Sequence, residues 1–149
     1  MTAEQNSALD AMIGYNLKRA NTIAESQIRR CLANIGLAPR EFSALALAVE
    51  IPNITQSTLA RHLGVERSGL VSTIDALEQR ALLNRVAVPG DRRIQALIAT
   101  AKGIAAHQEA LCAIQMQEEQ LTQVLSATEI DSLRAVLQKI RKFEEGKTP

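Results

Sequence analysis

The sequence predicts a mainly α-helical chain that carries one small β-hairpin. Three observations predict it. Apolar residues recur at steps of three and four along most of the 149 residues, which is the helix period. The period drops to two in one place, on either side of Pro89-Gly90. Aromatics are 2% of the chain, with no Trp, one Tyr and two Phe, so Leu, Ile, Val and Ala must build the core, as packed helices do. The length fits one domain, or a small domain with helical extensions, and is enough to bury a real core.

The elements follow in order. Residues 8–35 place Leu9, Met12, Ile13, Leu17, Ala20, Ile23, Ala24, Ile28, Cys31, Leu32 and Ile35 on a helical period. Gly36 can stop that helix in a left-handed conformation. Pro39 opens a second helix to about Glu50, whose run Ala44–Val49 is apolar nearly all round and therefore expected to be buried. Thr55 is an N-cap for a third helix, Gln56 to Leu63, which Gly64 breaks. A fourth helix runs from about Arg67 to Arg80, with Leu70, Ile74 and Leu77 inward. Asn84–Val88 and Ile94–Ile98 then alternate, joined by Pro89 and Gly90 in the middle of a type II turn. Thr100 caps a long fifth helix, Ala101 to about Leu125, with Gly103 a weak spot near its start. Ser126-Ala127-Thr128-Glu129 is a capping box for a last helix to about Glu144, with Ile130, Leu133, Val136, Leu137 and Ile140 on one face. The tail from Glu144 to Pro149 is expected to fray.

The third and fourth helices have the plan of a helix-turn-helix. Ala60 lets them approach, Gly64 permits the turn, and Leu59, Leu63, Val65 and Leu70 lock the pair. With the hairpin after them, they make a winged helix-turn-helix, a module that reads double-stranded DNA. The second helix of the pair is expected to expose Arg67, Ser68, Gly69, Ser72 and Thr73. Arg can grip guanine edges, Ser and Thr reach phosphates or bases, and small residues permit close approach. The hairpin tip, Gly90-Asp91-Arg92-Arg93, projects two guanidiniums that suit a narrow minor groove. A solvated polar helix face and an exposed charged turn are the bland alternatives; the order of the elements favours the module. Net charge is only +1, and residues 55–93 hold six Arg against four acids, so charge alone supports nucleic acid weakly.

The run Leu77-Glu78-Gln79-Arg80-Ala81-Leu82-Leu83-Asn84-Arg85, with Asp91-Arg92-Arg93 and Thr100-Ala101-Lys102-Gly103, resembles the MarR family of bacterial transcriptional regulators. The family pattern is LE-xx-GL-xx-R, then D-x-R, then LT-xx-G. The chain matches it at Leu77, Glu78, Leu82, Arg85, Asp91, Arg93, Thr100 and Gly103. It departs at Ala81, where the family has Gly, and at Ala99, where it has Leu. The first departure implies a less left-handed turn after the recognition helix.

The resemblance implies an obligate homodimer on a pseudo-palindromic DNA operator, with a recognition helix in the major groove and a wing in the minor groove. It implies a DNA-binding lobe over 40–99 and a dimerisation region over 6–36 and 100–145. Arg67, Ser68, Ser72 and Thr73 become major-groove candidates, and Gln56 and Ser57 phosphate candidates. Arg92 and Arg93 become wing contacts, with Asp91 pairing Arg93 to shape the wing. Apart from any family, the apolar faces at both chain ends exceed what one small winged domain covers, and a second copy is the simplest partner. The resemblance also implies release by a small effector, with an aromatic or phenolic acid or its CoA thioester foremost. Tyr15, Arg19, Arg40 and His62 are the candidate ligand residues, as an aromatic wall and a carboxylate clamp.

Other classes find less support. The sequence has no HExxH, no phosphate loop and no G-x-S-x-G elbow, so an enzyme is not expected. Two His and two dispersed Cys are too few well-spaced ligands for zinc, and no cofactor is expected. Cys31 and Cys112 read first as buried reduced thiols, with a redox-sensing regulator switched through either one as the runner-up. A winged-helix module that binds protein is a third reading. No apolar stretch approaches the roughly 20 residues that span a bilayer, and the N-terminus lacks a signal-peptide pattern, so a cytoplasmic location is the default.

Overall fold

The computed structural model describes residues 8–88 and 90–145, without the side chains of 91–93 and 144–145. Its elements are α1 (Ile13–Ile35), α2 (Pro39–Glu50), β1 (Ile54–Thr55), α3 (Gln56–Leu63), a 3₁₀ turn (Arg67–Leu70) running into α4 (Val71–Gln79), β2 (Leu83–Val88), β3 (Asp91–Ala99), α5 (Ala101–Thr122) and α6 (Ala127–Glu145). The class is the expected one: mainly helical, with a hairpin wing and flanking helices. Residues 8–11 form turns rather than the first turns of α1, and α5 stops short of Leu125.

Local chemistry explains the ends. Gly36 takes φ 73°, and its N–H donates to the Ala33 carbonyl. Pro39 opens α2, where the Glu41 carboxylate accepts from the Ala38 N–H at 2.9 Å. The Thr55 hydroxyl accepts from the Thr58 N–H at 3.2 Å, capping α3. Gly64 takes φ 64°, and Val65 N–H donates to the Ala60 carbonyl, which closes the helix-turn-helix corner. The Ser126 hydroxyl accepts from Glu129 N–H while the Glu129 carboxylate accepts from Ser126 N–H at 2.8 Å, the full capping box of α6.

The sheet has three strands in the order β1-β3-β2, all antiparallel. Sequence patterning did not reveal β1, because two residues carry no readable period. Ile54 faces Leu97 across it and is buried. In the hairpin, Leu83 and Leu97 turn inward while Val86, Ile94 and Ile98 stay exposed. The register shifts between Ala87 and Val88, near the tip. Pro89 lies outside the described residues; Gly90 takes φ 92°.

Leu32, Leu45, Leu59, Leu70, Ile74, Leu77, Leu83 and Leu97 are fully buried and join α1, the helix-turn-helix and the sheet in one core. In α2, Ala44, Leu45 and Ala48 are buried and most of the rest is half-buried. α1 packs along α5. α6 differs: Ile130 is half-buried, and every other residue of it with a described side chain is exposed.

Two expectations are corrected. Gly103 is no weak spot. A Cβ there would sit 2.1 Å from the Leu82 carbonyl oxygen, so only glycine lets α5 lie this close to the end of the helix-turn-helix. Ala81 was expected to relax the turn that glycine makes in the family pattern, yet it holds φ 57°. The turn demands it: Leu82 N–H donates to the Leu77 carbonyl, Ala81 N–H to Glu78, and the Thr100 hydroxyl to the Ala81 carbonyl at 2.7 Å.

Candidate nucleic-acid interface

The residues that could touch DNA come from three places: the start of α3, the 3₁₀ turn with α4, and β3. The 3₁₀ turn was expected as helix. Gly69 N–H donates to the Glu66 carbonyl, which tightens the first turn before α4 begins. Leu70, Ile74 and Leu77 anchor one face of this element in the core. Arg67, Ser68, Gly69, Val71 and Ser72 are exposed on the other. Thr73, expected among them, is only 9% exposed, because it lies between Leu70 and Leu77 on the inward side. Thr73 therefore leaves the groove face.

A polar cleft of about 210 Å³ is lined by Thr55, Gln56, Ser57, Arg67, Ile94 and Gln95. It brings Gln56, Ser57 and Arg67 together across the helix-turn-helix, and adds Ile94 and Gln95 from the wing strand. Backbone N–H groups at the start of α3 and a guanidinium here suit an anion. Gln95 escaped the sequence reading because its neighbourhood depends on strand register. The side chains of Asp91, Arg92 and Arg93 lie outside the described residues; their backbone opens β3.

The wing is tied to α4 by charge. Arg85 on β2 bonds to Asp75 and to Glu78, and its own N–H donates to Glu78 at 3.3 Å. The Asp75 hydrogen bond, opposed by burial and reinforced by the Glu78 charge, holds the Arg85 guanidinium above its ordinary pKa. That constellation explains the spacing of Glu78 and Arg85. Arg80, paired with Glu41 at 3.2 Å, likewise fastens α4 to α2, and Lys102 donates to the Arg80 carbonyl at 3.0 Å.

The four candidate ligand residues are scattered. Tyr15 and Arg19 meet each other, with the guanidinium 5.7 Å from the ring, and Arg19 also faces Asp10 at 3.9 Å. Arg40 reaches toward Gly69 beside the recognition element. His62 is exposed in the last turn of α3. A different cleft, of about 360 Å³, opens where α1, α2 and α5 meet, lined by Glu25, Ile28, Arg29, Pro39, Phe42, Ser43 and Ile114. Phe42 stacks on the buried His107 with ring centroids 5.9 Å apart. No sequence pattern links residues 25–29, 39–43 and 114, so only packing could reveal this cleft.

Cys31 is half-buried, its thiol donating to the Ile28 carbonyl, whereas Cys112 is exposed, against the expectation that both are buried. Among the described residues no group of His, Cys, Asp and Glu could hold a metal ion, and no helix is long and apolar enough to cross a membrane.

Comparisons agree with this geometry. Residues 37–95 match the MarR family model. The transcriptional repressor CouR, solved bound to a 23-mer DNA duplex, is 35% identical with a TM-score of 0.85, over 89% of this chain and 94% of that one. CouR from Rhodococcus jostii RHA1, solved bound to p-coumaroyl-CoA, is 29% identical with a TM-score of 0.81, over 90% of this chain and 94% of that one. A curated relative, the putative transcriptional regulatory protein for the hcr operon of Thauera aromatica, is 28% identical over 138 residues, 92% of this chain and 82% of its own length. With its helix-turn-helix, its wing and this likeness over nearly its full length, the chain belongs to the MarR family of winged helix-turn-helix transcriptional regulators, and is a DNA-binding regulator rather than an enzyme.

Proposed function

We propose that two copies of the chain bind a pseudo-palindromic operator as a repressor, and that an aromatic or phenolic acid, or its CoA thioester, releases them. The dimer is supported by the open apolar face of α6, with Leu133, Val136, Leu137 and Ile140 each more than 40% exposed in the single chain. In this reading 6–36 and 100–145 supply the dimer layer and 40–99 the DNA-binding lobe. Gln56, Ser57 and Arg67 take phosphates or groove edges, Ser68 and Ser72 face the major groove, and Arg92 and Arg93 enter the minor groove.

The observation that carries the effector reading is the cleft between α1, α2 and α5. Its volume of about 360 Å³ lies within the usual range for small-molecule sites, roughly 300–1,000 Å³. Phe42 gives it an aromatic wall and Arg29 a guanidinium for a carboxylate. It sits between α1, in the proposed dimer layer, and α2, in the lobe, so an occupant would bear on both. The wider fork between α5 and α6, about 590 Å³, is lined by Glu118, Glu119 and Asp131 against one cation, Arg134, which pairs with Asp131, and this balance disfavours an anion. Arg29, Phe42 and Ser43 therefore replace Tyr15, Arg19, Arg40 and His62 as the residues proposed for the ligand. The p-coumaroyl-CoA bound to the related CouR points to the same chemical class.

A thermal-shift screen of aromatic acids and their CoA thioesters, followed by competition gel-shifts, tests this. A true effector present at 100 times its Kd stabilises by about 2.7 kcal/mol and raises Tm by several degrees. Phe42→Ala should retain DNA binding and lose the shift. If no acid or thioester moves Tm or displaces DNA, the effector class is wrong. The thiol reading has one supporting fact, the exposure of Cys112. Release by peroxide that a Cys112→Ser variant abolishes would favour it instead.

A further inference from the structure

Val71 is the first residue of α4 and is 44% exposed. It follows Ser68 by three residues and precedes Asp75 by four, so it shares their face of the helix. Its sequence neighbours on that face are small or polar: Ser68, Gly69 and Ser72. Among the described residues from 67 to 79 it is the only large apolar side chain left exposed. It belongs to none of the core packing that holds Leu70, Ile74 and Leu77.

Neither propensity nor packing explains a valine there. A β-branched residue at an exposed helical position loses side-chain freedom and is a poorer helix former than Ala, Glu or Lys. Arg67, four residues before the valine, lines a cleft with Gln56, Ser57 and Ile94, so groups that favour an anion lie close to one other exposed apolar side chain, on the wing strand. An apolar group set among anion-seeking ones fits a partner that is charged along its edges and apolar at points within. The major groove is such a surface: phosphates line its rims, and the thymine 5-methyl is the apolar group that its base pairs present.

We infer that Val71 reads a thymine, by covering the 5-methyl group with its own two methyls while Arg67 and the start of α3 hold the flanking backbone. This rests on the reading of α4 as the recognition helix. It adds a residue that sets sequence preference, which the polar candidates do not include.

The test uses the full chain and an operator selected from random-sequence duplexes. Each thymine of one half-site is replaced singly by deoxyuridine, which removes only the methyl group. Wild-type protein should bind about fourfold more weakly at one thymine position, the value of one buried carbon unit. Val71→Ser should bind wild-type and deoxyuridine duplexes equally at that position and keep the wild-type pattern elsewhere. Its Tm and salt slope should stay unchanged, because the side chain is exposed and carries no charge. Val71→Thr, which keeps one methyl, should show an intermediate penalty. If Val71→Ser retains the full penalty, or if wild type tolerates deoxyuridine at every position, Val71 is not a thymine reader and the recognition-helix reading still stands. If wild type selects no sequence at all, both fall.

Discussion

Two single atoms decide how the helical layer joins the DNA-binding lobe. At Gly103 a Cβ would meet the Leu82 carbonyl oxygen at 2.1 Å, far inside van der Waals contact and against backbone that cannot rotate away. Gly103→Ala should therefore fall among the severe substitutions, costing upward of about 3 kcal/mol, seen as a lower urea midpoint. At Ala81 the strain is already present. A non-glycine residue in the left-handed region costs roughly 1–2 kcal/mol, part of which glycine's greater freedom in the unfolded chain takes back. Ala81→Gly should raise stability by about 1 kcal/mol in the same titration. An unchanged midpoint in both variants would mean that this corner does not limit stability. The residue scale also shows where sequence reading stops. Thr100 and Gly103 were recognisable as a helix start, because a cap is local. That Gly103 exists for the Leu82 carbonyl was not, because the two meet only across the fold.

At the scale of elements, caps and turns follow nearest-neighbour chemistry, and most were legible. The capping box of α6 is the clearest case and gives a pH dependence. Glu129 is held below its ordinary value of 4.5, chiefly by the Ser126 backbone N–H and then by its hydroxyl. A carboxyl lowered in the folded chain contributes stability that is complete above the unfolded value and lost as pH falls through the folded one. Helicity by circular dichroism, followed from pH 7 to pH 3, should thus fall in wild type below about 4.5 more steeply than in Glu129→Gln, whose amide oxygen can accept the same Ser126 N–H but does not titrate. Equal acid curves would show that the cap does not hold α6. Less legible was the recognition element, which begins as a 3₁₀ turn and turns Thr73 inward. Helical spacing allowed Thr73 on either side, and the packing of Leu70 and Leu77 chose.

The whole molecule is incomplete as a single chain. The face of α6 with Leu133, Val136, Leu137 and Ile140 is too apolar to be left in water without a partner. Leu133→Glu with Leu137→Glu should convert a dimer into monomers by sedimentation. Each lobe should stay folded, because these residues contribute nothing to the core of the chain. Operator binding should drop by a factor of about 10² or more, since the second half-site loses its tether. A variant that stays dimeric and binds as before would place the dimer interface elsewhere.

By itself the sequence determined the class, the helix-turn-helix and the wing. It also determined the family, through Leu77-Glu78, Arg85, Thr100 and Gly103. These depend on periodicity, capping and backbone freedom, all of which act over a few residues. Only the tertiary structure decided which side Thr73 and Val71 face, and that Arg85 bridges Asp75 and Glu78. It alone brought Arg29 and Phe42 to the wall of one cleft. Those outcomes come from helices packing against one another, and the partners of a side chain across a packed core are set by shape and charge between segments far apart in the chain.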